Sequence, residues 1–352
     1  MTPLRTRAPR SMALMLTMTL CLCSTAWAQT SAPASPRELA PAPAPTAPQP
    51  FSFTTNWFAQ AEHGGFYQAL ASGLYQRAGL NVTLRMGGPQ VNVMQLLAAG
   101  RTDCVMGYDV QTFAAWQQGI AAITVAAVFQ KDPAVLIGHP GVVDRLEDLK
   151  GKTLLLSAAS HTSFWPWLRA RYDLKDSQLR PYNFSIQPFM ADKRVVQQGL
   201  LSSEPFAIET QSRIKPNVFL LADHGWPPYA QTIVCMEKTL RERPQQVAAF
   251  VKATMEGWKS YLKGDPAPGN ALIVKDNPNM TPVLIKHGIR MMNQSGMVFG
   301  GDAARYGVGV ITDSRMRQTY DMLVQMGLLD AAKVTLEKTY TTEFVKDLRV
   351  MP

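Results

Sequence analysis

The sequence is poor in cysteine and has no recognisable metal-binding pattern. None of its four cysteines forms a Cys-x-x-Cys pair, and its five histidines include no pair one helical turn apart. We therefore expect no metal ion and no cofactor. Cys104 and Cys235 lie in the apolar, strand-like runs TDCVMG and TIVCM, which favours two buried free thiols. A disulfide between them stays open, because an oxidising compartment would permit one.

Long runs of lysine or arginine are also absent. The chain contains 35 basic and 26 acidic residues and has a net charge of +9. Three of the basic residues, Arg5, Arg7 and Arg10, precede the first apolar run, so that the rest of the chain carries 32 − 26 = +6. A diffuse charge of this size is typical of a solvated surface, and we expect no nucleic-acid partner.

Motifs for nucleotide binding and for hydrolysis are missing too. Gly151-Lys152-Thr153 resembles the end of a P-loop, but Leu146 stands where the first glycine is required, and the segment leads into a strand. No Gly-x-Ser-x-Gly motif occurs. Catalytic triads need not be contiguous in sequence, so these absences do not exclude an enzyme. No residue pattern requires one, and we expect a protein that is not an enzyme.

The first 28 residues have the parts of an export signal. Basic residues without an acid precede the apolar run SMALMLTMTLCLCSTA, and Ala26-Trp27-Ala28 has the small-x-small form that signal peptidase cuts. We expect cleavage of residues 1–28 after about Ala28, and a periplasmic location; an uncleaved membrane anchor is the alternative. Residues 29–50 are rich in alternating alanine and proline, which predicts a disordered tether.

From Phe51 onward, short strands alternate with helices, a pattern that indicates parallel βαβ units. The remaining length is great for a single core and predicts two lobes with a cleft between them. We place lobe I at residues 51–140 and 232–352, and lobe II at residues 141–231. The hinge is expected near Gly138–Gly141. The predicted fold class is therefore α/β, with two lobes.

Several elements are predicted from short apolar runs. In lobe II, NFSIQPF and PFAIE are predicted as strands, with ADKRVVQQGLL as a helix between them. In lobe I, GGP is predicted to open a helix, with Pro89 in its first turn.

Candidate ligand-binding groups concentrate where predicted strands lead into helices. The four segments are NWFAQAEHGG, RMGGPQVN, MGYDVQ and LSAASHTSFW. Ligands of open α/β sheets bind beyond the carboxyl ends of the strands, so these segments predict a binding cleft. The chain is expected to return from lobe II to lobe I near residues 223–231. From the four segments, from the SSEPF turn and from this return crossing we select the candidate ligand-binding residues Asn56, Trp57, His63, Gly88, Tyr108, Asp109, His161, Thr162, Trp165, Glu204 and Tyr229.

Different roles are expected within this set. The aromatic rings either stack on a flat solute or pack in the core, and both alternatives stay open. Glu204 could pair with a ligand amine or with an amino-pyrimidine edge, or it could be a solvated acid in a turn. His63 and His161 are the histidines best placed for ligand contact. Gly64 and Gly65 are expected to leave room for a solute at the start of a helix.

The segments NWFAQAEHGGFYQALASGLYQRAGLNVTL, GGPQVNVMQLLAAGRTD and SSEPFAIE resemble the nitrate/sulfonate/taurine solute-binding proteins of ABC importers. The branch that the chain resembles most is the thiamine-pyrimidine-precursor binding group, which includes the yeast thiamine-pyrimidine synthase. The resemblance implies a type II periplasmic binding fold that closes on one solute. The family's NW pair falls on Asn56 and Trp57, its histidine on His63, and its GGP and SEP turns on Gly87–Pro89 and Ser203–Pro205.

The resemblance to the yeast enzyme stops at a cysteine-rich cluster, which that enzyme carries near the cleft. This chain has QTIVCMEK there, with one cysteine, which argues against synthase activity. The resemblance implies the periplasmic substrate-binding component of an ABC importer, a monomer that delivers a small polar, heteroaromatic, pyrimidine-like solute to a membrane permease and its ATPase. The alternatives are a synthase-like enzyme, binding of nitrate, taurine or an aliphatic sulfonate, and a sensory solute-binding domain.

Overall fold

The computed structural model of the protein describes residues 47–352. The predicted export signal at residues 1–28 and most of the predicted tether at residues 29–50 lie outside this range. Gln49 and Pro50, which we assigned to the tether, form the start of the first strand. Among the described residues, no helix combines the length and the apolar character needed to cross a bilayer.

Two five-stranded sheets organise the described residues. The first sheet consists of β1 (Gln49–Thr54), β2 (Leu80–Arg85), β3 (Cys104–Gly107), β4 (Ala122–Phe129) and β10 (Ala230–Met236). Its strand order is β2-β1-β3-β10-β4. β1 is parallel to β2 and β3, whereas β10 is antiparallel to both of its neighbours. The first lobe is the region built on this sheet.

The second sheet repeats this pattern. It consists of β5 (Ala134–Gly138), β6 (Thr153–Leu156), β7 (Leu179–Pro181), β8 (Val195–Leu200) and β9 (Asn217–Leu220), in the order β7-β6-β8-β5-β9. β6 is parallel to β7 and β8, and β5 is antiparallel to β8 and β9. The second lobe is the region built on this sheet. The predicted α/β class with two lobes is confirmed.

The chain crosses between the sheets twice, in residues 130–133 and 221–229. The hinge that we expected near Gly138–Gly141 is misplaced, because β5 already hydrogen-bonds to β8 and β9 of the second sheet. As a division into domains, the boundaries at residues 140 and 232 remain a prediction.

Helices cover both sheets. They are α1 (Gly64–Ala71), α2 (Leu74–Arg77), α3 (Val93–Ala98), α4 (Asp109–Gln117), α5 (Ala158–His161), α6 (Phe164–Tyr172), α7 (Gln187–Ala191), α8 (Glu204–Ser212), α9 (Glu237–Glu242), α10 (Pro244–Lys263), α11 (Ala267–Asp276), α12 (Pro282–Ser295), α13 (Ala303–Tyr306) and α14 (Asp313–Gln325). After the second crossing, α10 and α11 pack on α1, so the late helices return to the first lobe. Phe51, Phe53, Phe66 and Phe250 pack against one another in its core, with Phe51 stacked on Phe250 and Phe53 on Phe66.

Three predicted elements of the second lobe are wrong. NFSIQPF is a loop followed by α7, ADKRVVQQGLL contains the strand β8, and PFAIE lies in the helix α8. A short apolar run fits a strand or a buried helix equally well, so the surroundings decide between them. α8 begins at Glu204 with Pro205 in its first turn, where proline favours a helix start.

The loop at Pro89 also differs from the prediction. α3 begins only at Val93, and the side chain of Asn92 caps it by accepting a hydrogen bond from Gln95 N. Pro89 lies outside this helix, and its carbonyl accepts a hydrogen bond from Ala158 N of the second lobe at 2.8 Å. The loop therefore contributes a hydrogen bond between the two lobes.

The expectation of two free thiols at Cys104 and Cys235 is wrong. The two residues lie directly opposite each other on β3 and β10, with a Cα–Cα distance of 4.3 Å, and their sulfurs form a disulfide. Both side chains are fully buried. The pairing depends on the register of an antiparallel strand 131 residues away, which the sequence does not reveal.

Candidate binding cleft between the lobes

A cavity of about 40 Å³ lies between the two lobes at the ends of their strands. The segments after β1 and β3 and the start of β10 line it from the first lobe. The segment after β6, the end of β8 and the start of α8 line it from the second lobe. The lining residues are Asn56, Trp57, His63, Tyr108, Pro133, Ala134, Ser157, Ala159, Ser160, Ser163, Phe164, Gln198, Gly199, Leu200, Glu204, Ala230 and Gln231. This is the position where solutes bind in open α/β folds.

The lobes contact each other around this cavity. Gln111 Nε2 of α4 donates to Thr162 Oγ1 of the second lobe at 2.7 Å, and Ser202 Oγ of the second lobe donates to Glu62 Oε1. The Trp57 ring stacks on the Tyr182 ring across the cleft, with centroids 5.7 Å apart and an interplanar angle of 14°. The small volume therefore corresponds to a closed cleft.

Five of the predicted binding residues line the cavity: Asn56, Trp57, His63, Tyr108 and Glu204. They come from two separate strand-to-helix segments and the SSEPF turn, which the fold brings together. The other six predicted residues do not line it.

Four of these six residues have structural partners. Trp165 is buried in the second-lobe core, and its Nε1 donates to Asp176 Oδ1 at 2.9 Å. Tyr229 is also buried, and its hydroxyl lies 3.3 Å from both Asp302 Oδ2 and Thr312 Oγ1. Asp109 accepts hydrogen bonds from Val110 N and Tyr229 N, and its burial raises the pKa of its carboxyl to about 7. Thr162 accepts the hydrogen bond that Gln111 donates between the lobes.

The remaining two predicted residues are placed away from the cavity by local geometry. His161 ends the short helix α5 and is exposed to solvent. Gly88 faces the ring of Phe58, since a Cβ there would lie 3.4 Å from Phe58 Cε1.

Glu204 is the acidic group of the cavity. It is 3% exposed; its Oε1 accepts from Tyr182 Oη at 3.1 Å, and its Oε2 accepts from Leu200 N at 2.8 Å. Burial raises the pKa of this carboxyl to about 7. Gly199 allows its close approach, because a Cβ at that position would lie 2.8 Å from Glu204 Cβ.

His63 brings a neutral imidazole to the cavity. The side chain is 1% exposed, and burial lowers its pKa to about 3. Its Nδ1 has no hydrogen-bond partner within residues 47–352. A buried ring nitrogen without a partner is a group that a ligand can satisfy.

Hydroxyl and amide groups form the opposite wall. Gln198 Oε1 accepts from Ser157 N at 2.5 Å and from Ser160 Oγ at 2.7 Å, and the two serine hydroxyls lie 2.9 Å apart. Gln231, on the first-lobe side, has an Oε1 without a partner in the described part of the chain and a φ of 48°. Sequence reasoning missed Gln198 because its strand was predicted as a helix, although the LSAASHTSFW segment pointed to the serines.

The expectation that Gly64 and Gly65 leave room for a solute is wrong. A Cβ at Gly64 would lie 1.9 Å from Tyr261 Cε1, and one at Gly65 would lie 2.2 Å from Trp258 Cγ. Both glycines therefore make room for aromatic rings of α10. Their role is to let α1 pack closely on α10.

The cavity wall carries an acidic side chain without a basic partner. Among its lining residues, Glu204 is an acid, and there is no lysine or arginine. The described part of the chain also shows no group of three or more histidine, cysteine, aspartate or glutamate side chains arranged to hold a metal ion.

Solved structures share this architecture. A ligand-binding component of an ABC-type import system from Staphylococcus aureus has a TM-score of 0.56 at 14% identity, over 85% of this chain and 99% of that one. The alkanesulfonate-binding protein SsuA from Xanthomonas axonopodis pv. citri has a TM-score of 0.59 at 14% identity, over 84% and 100%. The desulfurization enzyme DSZB has a TM-score of 0.51 at 14% identity, over 85% and 98%. These similarities show the periplasmic binding fold.

In sequence, the chain matches no curated protein. The model of the NMT1/THI5-like family matches residues 60–267, which is more than half of the chain. The matched range begins after the Asn56-Trp57 pair and includes His63, the GGP loop, both crossings and the SSEPF turn. The chain therefore belongs to the NMT1/THI5-like family.

Proposed function

We propose that this protein is the periplasmic substrate-binding component of an ABC importer. It binds a small polar solute between its lobes and delivers that solute to a permease and its ATPase. The proposal is supported by the family, by the closed cleft between two lobes and by the likeness to a ligand-binding component of an import system. It includes the expected export signal at residues 1–28, the tether that follows the signal up to the first strand, and a monomeric state.

The observation that carries the choice of solute is the buried Glu204 in a cavity without lysine or arginine. An anion placed beside this carboxylate would be repelled and would have no cation to compensate its lost hydration. A solute that donates hydrogen bonds suits it, because each carboxylate oxygen already accepts one bond and has a second lone pair. We propose an amino-substituted heteroaromatic ring, such as an aminopyrimidine.

The aromatic side chains of the cavity suit a flat ring. Trp57 and Tyr108 both line the cavity, and contacts with Tyr182, Phe58 and Phe184 hold the Trp57 ring in place. In this arrangement Asn56, the neutral His63 and Glu204 form hydrogen bonds with the edges of the ring.

A second candidate solute is an aliphatic sulfonate or taurine. The wall formed by Ser157, Ser160 and Gln198 offers hydrogen-bonding groups that suit sulfonate oxygens, and SsuA of the same fold is an alkanesulfonate-binding protein. Glu204 argues against this candidate, because its carboxylate lies in the same cavity and would repel a sulfonate. A synthase-like or desulfurization enzyme is the third class, since DSZB shows that the fold can carry an enzyme.

A thermal-shift screen of the mature chain separates these candidates. We expect an aminopyrimidine to raise the melting temperature, with taurine, alkanesulfonates and nitrate giving no shift. Glu204→Gln should weaken the aminopyrimidine effect by about tenfold in apparent affinity, because it removes a charged acceptor. Glu256→Gln, at a surface position of α10, is the matched control and should leave it unchanged. Stabilisation by sulfonates, with none by aminopyrimidines, would refute the proposed solute class.

A further inference from the structure

We propose that Glu62 is a positioning residue of the cleft. As a neutral carboxyl it holds the turn before Glu204 through a hydrogen bond with Ser202, and lobe closure therefore takes up a proton. The inference rests on the proposed function, since closing on a solute is the event that would engage this contact.

The contact between Glu62 and Ser202 joins the two lobes next to the binding cavity. Glu62 lies in a short 3-10 turn, Ala61–His63, of the first lobe, and Ser202 lies in the loop between β8 and α8 of the second lobe. Ser202 Oγ donates to Glu62 Oε1, and both residues are 1% exposed. Because Ser202 precedes Glu204 by two residues, this bond fixes the start of α8 against the first lobe.

No base faces the Glu62 carboxyl within residues 47–352. Its Oε2 has no hydrogen-bond partner, and no ion pair involves it there. Its own turn contributes the neutral His63. The second lobe contributes Glu204, which is an acid and whose pKa burial raises. α10 contributes Tyr261, whose hydroxyl donates to Asn270 Oδ1 instead.

α12 packs on the same turn but brings no cation to it. The helix presents Gly288, where a Cβ would lie 2.7 Å from Ala61 Cβ and 4.0 Å from Glu62 Oε1. Its three basic residues lie elsewhere: Lys286 and Arg290 are exposed, and His287 stacks on Phe206 with centroids 4.0 Å apart. α1, which also contacts the turn, has no charged residue.

In this environment, closure of the lobes is coupled to the uptake of a proton by Glu62. Burial raises the pKa of Glu62 above its ordinary range, and opening the lobes would return the carboxyl to water and to a pKa of about 4.3. The closed state therefore binds more protons than the open state between these two values. The Glu62 contribution to solute affinity is then complete below about pH 4.3 and is lost as pH rises toward the raised pKa of the closed state, by up to about tenfold per pH unit. His63, whose pKa is lowered to about 3 in the closed cleft, contributes the opposite slope below about pH 6.5, so the comparison with Glu62→Gln isolates the Glu62 contribution.

Titration calorimetry of the mature chain with an aminopyrimidine, in buffers of different ionisation enthalpy between pH 5 and 8, measures the protons taken up on binding. We expect uptake by the wild type. Glu62→Gln should keep the bond to Ser202 and bind solute, but lose the share of uptake and of pH dependence that Glu62 supplies. Ser202→Ala should weaken binding several-fold. Glu204→Gln measures how much of the proton uptake Glu204 supplies, and Glu256→Gln is the surface control.

If Glu62→Gln takes up as many protons on binding as the wild type and shows the same pH dependence of affinity, the proposal is overturned. If no aminopyrimidine, sulfonate or nitrate binds the wild type, the proposed function fails, and the solute-driven closure on which this inference rests fails with it.

Discussion

At the scale of single residues, the same side chains serve the cleft and the packing behind it. Trp57 lines the cavity and also stacks on Tyr182 of the other lobe, so its ring belongs to the closing contact as well as to the site. Glu204 faces the cavity because Gly199 has no side chain to push it away. The geometry of the segment NWFAQAEHGG therefore depends on packing residues outside the cavity as well as on those that line it.

Gly65 offers a test of this packing. Gly65→Ala would drive a methyl group into the Trp258 ring, and we expect a loss of about 1–3 kcal/mol in the free energy of unfolding. Urea denaturation measures it. Gln76→Ala, on the exposed face of α2, is the control and should change stability by less than about 0.5 kcal/mol. A Gly65→Ala protein as stable as the control would show that the close approach of α1 to α10 is not required.

At the scale of elements, β10 and α14 hold the two lobes in relation to each other. β10 returns to the first sheet between β3 and β4 and is tied to β3 by the disulfide. Arg315 of α14 donates from Nε to Pro227 O at 2.7 Å and from Nη2 to Gln130 O at 2.9 Å, one carbonyl in each crossing. One side chain therefore contacts both segments about which the lobes would move.

The disulfide should contribute strongly to stability. It closes a loop of 131 residues, and the loss of chain entropy in the unfolded state predicts a contribution of about 3–5 kcal/mol. The double variant Cys104→Ala, Cys235→Ala should lose this amount in urea denaturation under oxidising conditions. Under a reductant that opens the bond, wild type and variant should have similar stability. A variant as stable as the oxidised wild type would contradict the disulfide.

Arg315 should stabilise the hinge. Arg315→Ala leaves two carbonyls of the crossings without their charged donor, and we expect a loss of about 2–3 kcal/mol in unfolding free energy. Arg317→Ala on the same helix removes an exposed ion pair with Glu337 and should cost less than about 1 kcal/mol. Denaturant unfolding of both variants provides the comparison. Equal losses would show that the hinge contacts contribute no more than a surface ion pair.

At the scale of the whole molecule, the alternation of strands and helices was enough to predict two α/β lobes and the cleft between them. It was also enough to place Asn56 and Trp57 at the cavity, because residues that closely follow a strand lie at the edge of the sheet, whereas His63 reaches the cavity from the 3-10 turn Ala61–His63. The direction of a side chain is harder to predict. Thr162 and Trp165 follow the same strand as Ser157, yet one bonds to the other lobe and the other packs in the core.

The misassigned strand β8 shows a second limit. VVQQGL is a short apolar run whose identity depends on the strands beside it, so Gln198 was not recognised as a lining residue. The disulfide likewise depends on register between distant strands. Contacts that join remote parts of the chain, including Glu62 with Ser202, are therefore seen only in the structure.

The proposed function depends above all on the cleft binding a hydrogen-bond donor against Glu204. Titration calorimetry with an aminopyrimidine, and with the same ring lacking the amino group, tests this most directly. We predict one solute per chain and a loss of about tenfold or more in affinity without the amino group, since Glu204 is then left without its donor. Equal affinity for the two rings, or binding of an alkanesulfonate in place of either, would contradict the proposal.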